Sequence, residues 1–423
     1  MFEKFIQIWK IRDLRVKILF VLAMLVIFRL AAHIPIPGVN VEALKDVFAS
    51  NQILGLMNIF SGGGMQNFSI VMMGVAPYIT SSIIFQLLAM IVPALEEMQK
   101  EESGRQKINM WTRWLTIPLA IAQSYGMITI LRRSSYSILG DVSAFDLSAM
   151  IITITAGTIF LMWIGELITE KNIGNGISLL IFAGIVADLP RILQQTIVTF
   201  DPSQMFILIG FAVIALVTVI GVVIINEGQR NIPVQYARQV RGNRMYGGTS
   251  THLPLRVNMA GVIPIIFAIS LVLFPSMVAQ FFIHARTAWI ASSAEWIIGA
   301  FQNQLFYGVL YFILVFGFTY FYTEVIFHPT QIAENLQKQG GFIPGIRPGS
   351  HTSQYLANTT HKIIFVGALF LGIIAILPLI MRYFTGMQSL AIGGTSLLIV
   401  VAVVIETVKQ IEAQMTMREY EGM

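Results

Sequence analysis

Met205–Ile225 reads MFILIGFAVIALVTVIGVVII, with no charged residue anywhere along it. A helix rises 1.5 Å per residue, so about 20 mostly apolar residues cross the ~30 Å hydrocarbon layer of a bilayer. The stretch lacks the apolar/polar alternation of a porin-like strand. It therefore reads as a membrane-crossing helix, and this reading decides the fold. Working outward, the same character returns at Ile18–Ile34, Gly74–Leu95, Trp114–Leu131, Ser148–Thr169 and Ile173–Leu193 before it, and at Met259–Ile283, Leu305–Phe327, Ile363–Met381 and Leu390–Ile405 after it. Asp188 and Pro190 interrupt the fifth of these ten spans, and the tenth continues into an amphipathic stretch, Glu406–Met417. The whole chain agrees: 12% of its residues are charged, about half the usual ~25%, and its mean hydropathy is +0.73. So few charges cannot cover a soluble surface, which excludes a soluble enzyme, a disordered chain and a fibrous repeat. Without cysteine, there is no disulfide and no thiolate chemistry.

Orientation follows the Lys/Arg asymmetry of flanks and short loops. With both termini on one side, that side carries 20 of the 27 Lys/Arg, and the other keeps Arg29, Lys45, Arg132, Arg133, Arg191, Arg286 and Arg382. An odd number of spans would scramble this bias, so ten spans with cytoplasmic termini are expected. The basic start and Ala31–Ala32 could suggest a signal peptide, but nine further spans and IPIPG at Ile34–Gly38 favour an uncleaved first helix. Phe2, Phe5, Ile6 and Trp9 at helical spacing among basic residues predict an interfacial amphipathic helix over 1–17.

Several chemistries lack their residues. The chain has no GxxxxGK[ST], no HExxH and no GxSxG, and its six His do not cluster at ligand spacing. We therefore expect no catalytic residue, no metal, no cofactor and no direct nucleotide binding. Asp141 and Asp146 fall in an outer loop rather than at membrane depth, which leaves an intramembrane protease without a carboxylate pair. Arg29, His33, Glu166 and Glu406 sit near span ends, where a charge can reach an interface.

Four stretches are not ordinary spans. In Asn58–Leu88, NIFSGGGMQNFSIVMMGVAPYITSSIIFQLL, Gly62–Gly64 makes a hinge, Met65–Met73 is too short to span, and Gly74 and Pro77 restart a helix. This spacing fits a re-entrant segment and an outer loop equally well. In Lys171–Asp188, Gly174–Asn175–Gly176 makes a tight turn, so spans four and five form a helical hairpin. Asn226–Ala260 holds five Arg, Pro233 and Pro254, and no acid after Glu227. Short strands suit it better than helix, and its charge suggests an anionic partner such as ribosomal RNA, lipid headgroups or acidic protein, or positive-inside bias alone. His328–Lys362 centres on GGFIPGIRPG, whose Gly/Pro punctuation forbids helix and holds Arg347 on a stiff tip.

These stretches closely resemble the SecY family, the channel subunits of the bacterial Sec protein translocon. The resemblance rests on IPIPG at Ile34–Gly38, the glycine-hinged Asn58–Leu88, GNGISLLIFAGIV at Gly174–Val186, IPVQYAR at Ile232–Arg238, STHLPLRVNMAGVIP at Ser250–Pro264, GGFIPGIRPG at Gly340–Gly349 and GGTSLLIVV at Gly393–Val401, in that order from first span to last. It implies an all-α polytopic membrane protein, with ten transmembrane helices in two pseudo-symmetric five-helix halves around a central hourglass pore and a short re-entrant plug helix. The implied halves are 18–194 and 205–408, joined by an outer hinge loop at 195–204, with cytoplasmic loops at 226–258 and 328–362 and a tail at 409–423.

The resemblance also implies site residues. The plug would be Ser61, Gly62, Gly63, Gly64, Met65, Gln66, Asn67, Phe68, Ser69, Ile70, Val71, Met72 and Met73. The pore ring would be Ile79, Ile83, Ile181, Ile185, Ile266 and Ile399; Ile79/Ile83 and Ile181/Ile185 each share a helix face at i, i+4. Such a ring seals by dewetting and offers no hydrogen bonds to grip a passing chain. The lateral gate, between spans two and seven, would carry Thr80, Ser82 and Gln86 (with Ser81) facing Asn258 and Ser270. Arg241, Arg244 and Arg347 would dock the SecA motor ATPase or a ribosome. The small subunits SecE and SecG would complete the complex in the bacterial cytoplasmic membrane, with signal sequences and nascent chains as substrate and lipid around it. The competing class is a secondary transporter with inverted repeats, which needs a midplane polar site.

Overall fold

Each of the ten predicted spans overlaps a helix, although several run past the helix ends and the second crosses a break at Val92. The computed structural model describes residues 9–44, 58, 61–132, 139, 143–198, 205–236, 239–241, 244–246, 250–283, 287–385 and 388–421. In the first half the helices are α1 (Arg12–Ala31), α2 (Ala76–Ile91), α3 (Pro93–Lys100), α4 (Glu102–Arg132), α5 (Ala144–Glu170) and α6 (Gly176–Val198). In the second they are α7 (Met205–Glu227), α8 (Ile263–Phe282), α9 (Ala288–Gln302), α10 (Gln304–Ile326), α11 (Pro329–Lys338), α12 (Ser350–Thr385) and α13 (Gln388–Glu421). Taken alone, α4, α5, α10 and α12 are long and apolar enough to cross a membrane. Large apolar side chains stay exposed along the helices, among them Phe206, Leu216, Val217 and Ile224 of α7. Such a surface suits lipid and not water.

Packing runs mostly within each half. Between the halves, the principal contacts are α8 against α2 and α4, and α13 against α6. The molecule therefore has two seams. Local signals set the ends of its helices. Asp146, predicted in an outer loop, is instead the third residue of α5: Ser143 Oγ accepts from Asp146 N at 3.3 Å, and Asp146 Oδ2 accepts from Ser143 N at 3.2 Å. This capping box satisfies two end donors of the helix.

The structure corrects several boundaries. Pro93 lacks an N–H and pushes Val92 into extended backbone (φ −104°, ψ 106°), so the second span ends at Ile91 and the chain turns by 108° into α3. Pro190 lies inside α6, which continues to Val198, so positions 195–198 of the predicted hinge loop are helical. Positions 199–204 lie outside the described residues. So do positions 1–8 of the predicted N-terminal helix, of which Trp9 and Lys10 are helical. The helix α9, between spans seven and eight, has no counterpart in the sequence reading. The predicted plug, Ser61–Met73, lies in a run of turns that extends to Val75 and is not a helix. Positive φ at Gly62, Gly63, Phe68 and Gly74 (64°, 79°, 46° and 57°) is incompatible with a right-handed helix.

The two long polar loops fold together. β1 (Gln229–Tyr236), β4 (Ser250–Arg256) and β5 (Gly341–Phe342) form one antiparallel sheet of order β4-β1-β5, and β2 (Gln239–Arg241) pairs with β3 (Arg244–Tyr246). The expectation of strands in 226–258 holds. In 328–362 only the Gly/Pro centre is free of helix, with α11 before it and α12 starting at Ser350.

Candidate functional site

The six isoleucines assigned to the ring come from α2, α6, α8 and α13, the helices that meet at the two seams. All six are buried, each at most 4% exposed, and all belong to one apolar cluster. Burying an isoleucine contributes roughly 1.5–3 kcal/mol. The cluster therefore contributes apolar packing where α8 meets α2 and where α13 meets α6.

The turns of 61–75 lie against this cluster. Val71 and Val75 belong to it and Ile70 packs on it. Gly62 sits so close to α1 and α6 that a Cβ would be 2.5 Å from Phe28 Cζ and 3.1 Å from Gly184 Cα, one residue from Ile185. Arg29 Nη1 donates to the Gly62 carbonyl at 2.6 Å. From its sequence position near the end of the first span Arg29 could reach an interface; here it turns onto the backbone of the predicted plug segment. Asn58 organises the turn: its carbonyl accepts from Gly63 N and Ser61 Oγ at 2.9 Å each, and its Oδ1 accepts from Gln66 N at 3.0 Å. Beyond Gly64 the segment enters a second apolar cluster, in which Met65, Phe68, Met72 and Met73 pack with Met127, Ile128, Leu131, Met150 and Ile154.

A cavity of ≈400 Å³ opens beside Ile79 and Ile266. Its walls include Ser82 and Gln86 of α2, Arg113 of α4 and Glu166 of α5. Arg113 Nε donates to Glu166 Oε1 at 2.6 Å, which ties α4 to α5. Glu166 therefore ends in an ion pair with Arg113.

The predicted gate residues behave unequally. Thr80 Oγ1 donates to the Ala76 carbonyl and Gln86 Nε2 to Ser82 Oγ, both within α2. Gln86 Oε1 is buried with no partner among the described residues. Ser270, on α8, is half-buried. Ser81 faces the other way and donates to the Thr112 carbonyl of α4 at 2.7 Å. Asn258 is also elsewhere: its Nδ2 donates to Asn226 Oδ1 at 2.6 Å and to the Gly261 carbonyl, and its Oδ1 accepts from Gly261 N at 3.0 Å. It brackets the corner from α7 to α8 within the second half. A short polar side chain ahead of a helix with Pro at its start does this by local geometry.

Arg347 is exposed on the tip that follows β5. Gly340, Gly345 and Gly349 take φ of 72°, 81° and 97°, and the Arg347 carbonyl accepts from Thr352 Oγ1 at 3.0 Å. Gln235 and Tyr236 of β1 pair with Phe342 and Gly341, so the tip is joined to the first polar loop. Beneath the sheet, Ile232, Val234, Leu255, Ile343 and Leu356 form a small apolar core. Arg241 pairs with Arg244 across β2–β3. Replacing Ile343, 3% exposed, by Asp buries a charge in this core and is expected to cost ~3 kcal/mol or more. Limited proteolysis would report cleavage within 340–349 while the helices persist; an uncut tip would contradict this account.

A family model described as SecY matches residues 69–408. The chain is 44% identical over 435 residues to the protein translocase subunit SecY of Halalkalibacterium halodurans, covering 100% of this chain and 99% of the relative. It is 44% identical over 440 residues to that of Corynebacterium glutamicum, covering 99% of each. Among solved structures, one described as the structure of a protein conducting channel superposes with a TM-score of 0.62 at 17% identity, covering 93% of this chain and 91% of the other. Sec61 from the canine ribosome-channel complex of the endoplasmic reticulum gives 0.62 at 17% identity, covering 94% and 91%. A third is described as showing that the plug domain of SecY stabilises the closed translocation channel and maintains a membrane seal; it gives 0.62 at 18% identity, covering 93% and 91%. With a match over most of its length and full-length relatives at this identity, the chain, a multi-pass membrane protein, belongs to the SecY family of protein translocase subunits.

Proposed function

We propose that the chain is the central subunit of a Sec translocon, a passive channel that conducts unfolded polypeptides across the bacterial cytoplasmic membrane and releases apolar segments sideways into lipid. The observation that carries this reading is the burial of six isoleucines, from the helices of both seams, in one cluster. A polypeptide in transit presents every side-chain type, so a collar that makes no hydrogen bonds lets each pass. When closed, the collar excludes water and ions by dewetting. Ser61–Met73 acts as the plug above it. The ten helices cross the membrane with both termini in the cytoplasm, five in each half.

The α2–α8 seam is the lateral gate. Thr80, Ser82 and Gln86 supply its polar side on α2 and Ser270 on α8. Their bonds, where formed, stay within α2, which suits a seam that opens when an apolar segment competes for the slot. Asn258 positions α8 rather than joining the gate. An energy source must come from outside, because the chain carries no P-loop motif. SecA or a translating ribosome docks on the sheet through Arg241, Arg244 and Arg347, and SecE and SecG complete the complex in lipid. The canine relative described in a ribosome-channel complex supports the ribosome as a partner.

Two measurements test this. Arg347→Glu is expected to reduce motor-driven export at least tenfold while detergent-solubilised protein keeps its helix content; normal export would remove Arg347 from docking. Purified chain in liposomes is expected to take up no small solute. Coupled solute uptake would favour the secondary-transporter reading.

A further inference from the structure

The turns of 61–73 are held in two different ways. From Met65 onward the hold is apolar and deep. Met65, Phe68, Met72 and Met73 are each at most 1% exposed. Backbone bonds sew the same part to the chain after α1: Ile36 N donates to the Phe68 carbonyl at 2.9 Å and Ile70 N to the Ile34 carbonyl at 3.1 Å. The segment also lies directly on α5, where Gly157 leaves room for the Ile70 carbonyl. Ser61–Gly64 has no apolar side chain to bury. Its bonds to Asn58 travel with the turn itself. Arg29 reaches it from α1 with a charge-assisted hydrogen bond to Gly62 O. On the α6 side, a Cβ on Gly63 would lie 3.5 Å from Asp188 Oδ1 and 3.9 Å from Arg29 Nη1, so opposite charges flank the tip.

We infer that Arg29 is a positioning residue that latches the tip Ser61–Gly64 over the isoleucine cluster, and that Met65–Met73 is a fixed anchor, so the plug yields at its tip and not as a whole. This rests on the channel reading above. The latch is polar and local. It releases when α1 and the tip separate slightly, because a hydrogen bond weakens steeply with distance and angle. The anchor stays, since freeing it would expose four large apolar side chains at once.

Amide hydrogen exchange in the reconstituted complex gives two label-free probes, one in the turn at Ser61, which is 1% exposed and leaves no room for a bulky label, and one at Asn67 in the anchor. Arg29→Met removes the donor and keeps the stem. It is expected to speed exchange at the Ser61 probe, leave the Asn67 probe unchanged, and raise resting ion conductance on the order of tenfold, the scale of one charge-assisted hydrogen bond. Arg29→Lys, which keeps a cationic donor, is expected to restore both readings. Arg29→Gln, a neutral donor, is expected to fall between and serves where Arg29→Met does not fold. Unchanged exchange at the Ser61 probe in Arg29→Met overturns the latch, and faster exchange at both probes overturns the anchor. Polypeptide transport is assayed separately: its absence from the unmodified complex sinks the channel reading, while the probes still judge the latch.

Discussion

Replacing Ile399 by Asn is expected to raise the resting ion conductance of the reconstituted complex roughly thirtyfold or more, and to admit substrates with defective signal sequences. Ile399 is 1% exposed and lies in the cluster that joins α13 to α6 across one seam. Closing the seam takes its side chain out of water, a gain of roughly 1.5–3 kcal/mol. Asn loses that gain and adds an amide whose burial without partners costs ~1–3 kcal/mol. Both terms act against the closed state alone, because an amide in a wet, open pore stays hydrated. Even at their low ends the two terms sum to more than ~2 kcal/mol, and ~2 kcal/mol is about thirtyfold at 1.4 kcal/mol per factor of ten, so thirtyfold is the expected minimum. Ile79→Asn is expected to act in the same direction from the other seam. Equal conductance in unmodified and polar variants would show that the cluster is packing and not a seal.

Gly157→Val is expected to destabilise the folded protein by ~3 kcal/mol or more and to leave the pore leaking. Any Cβ at this position overlaps the Ile70 carbonyl oxygen and crowds Val71, and backbone cannot step aside as the end of a flexible side chain can. Replacing a helical glycine gains up to ~1 kcal/mol in propensity; the overlap outweighs it. Gly210, on α7, is the internal control: nothing lies within 4 Å of its Cβ position, so Gly210→Ala is expected to be neutral or slightly stabilising. The midpoint of denaturation in detergent compares the two. Similar midpoints would mean that α5 does not hold the plug anchor.

What could be read from the chain, and what could not, follows the range of each signal. Apolar runs such as Met205–Ile225 are local, and each overlaps a helix. But α4 and α12 begin well before their expected spans and α13 runs well past its own, because the helix continues through polar residues that the apolar signal does not mark. Pro233 and Pro254 spoke against helix, and both now lie in the β1–β4 ladder. The Gln235–Phe342 pair could not be seen, because two short polar segments over a hundred residues apart carry no mark of their register. The 108° turn at Val92 had a visible cause in Pro93, but the apolar run hid it by continuing to Leu95. Triple glycine invited a hinge, and the resemblance then supplied a helix that positive φ at Gly62 and Gly63 forbids. Arg29 was invisible as a latch, since an arginine near a span end ordinarily reaches for the interface. The isoleucines are the instructive case. Spacing offered many candidates, and it is the meeting of four helices that brings these six together.

Every strand of the β4-β1-β5 sheet is rooted in the second half of the chain: β1 leaves α7, β4 leads into α8, and β5 lies between α11 and α12. The Arg347 tip is therefore connected through the sheet to α7, α8 and α12. This half meets the first across the two seams. Whatever grips the sheet holds the molecule by one jaw, as one holds one arm of a pair of tongs. In the channel proposed above, a pull on that jaw would separate α8 from α2.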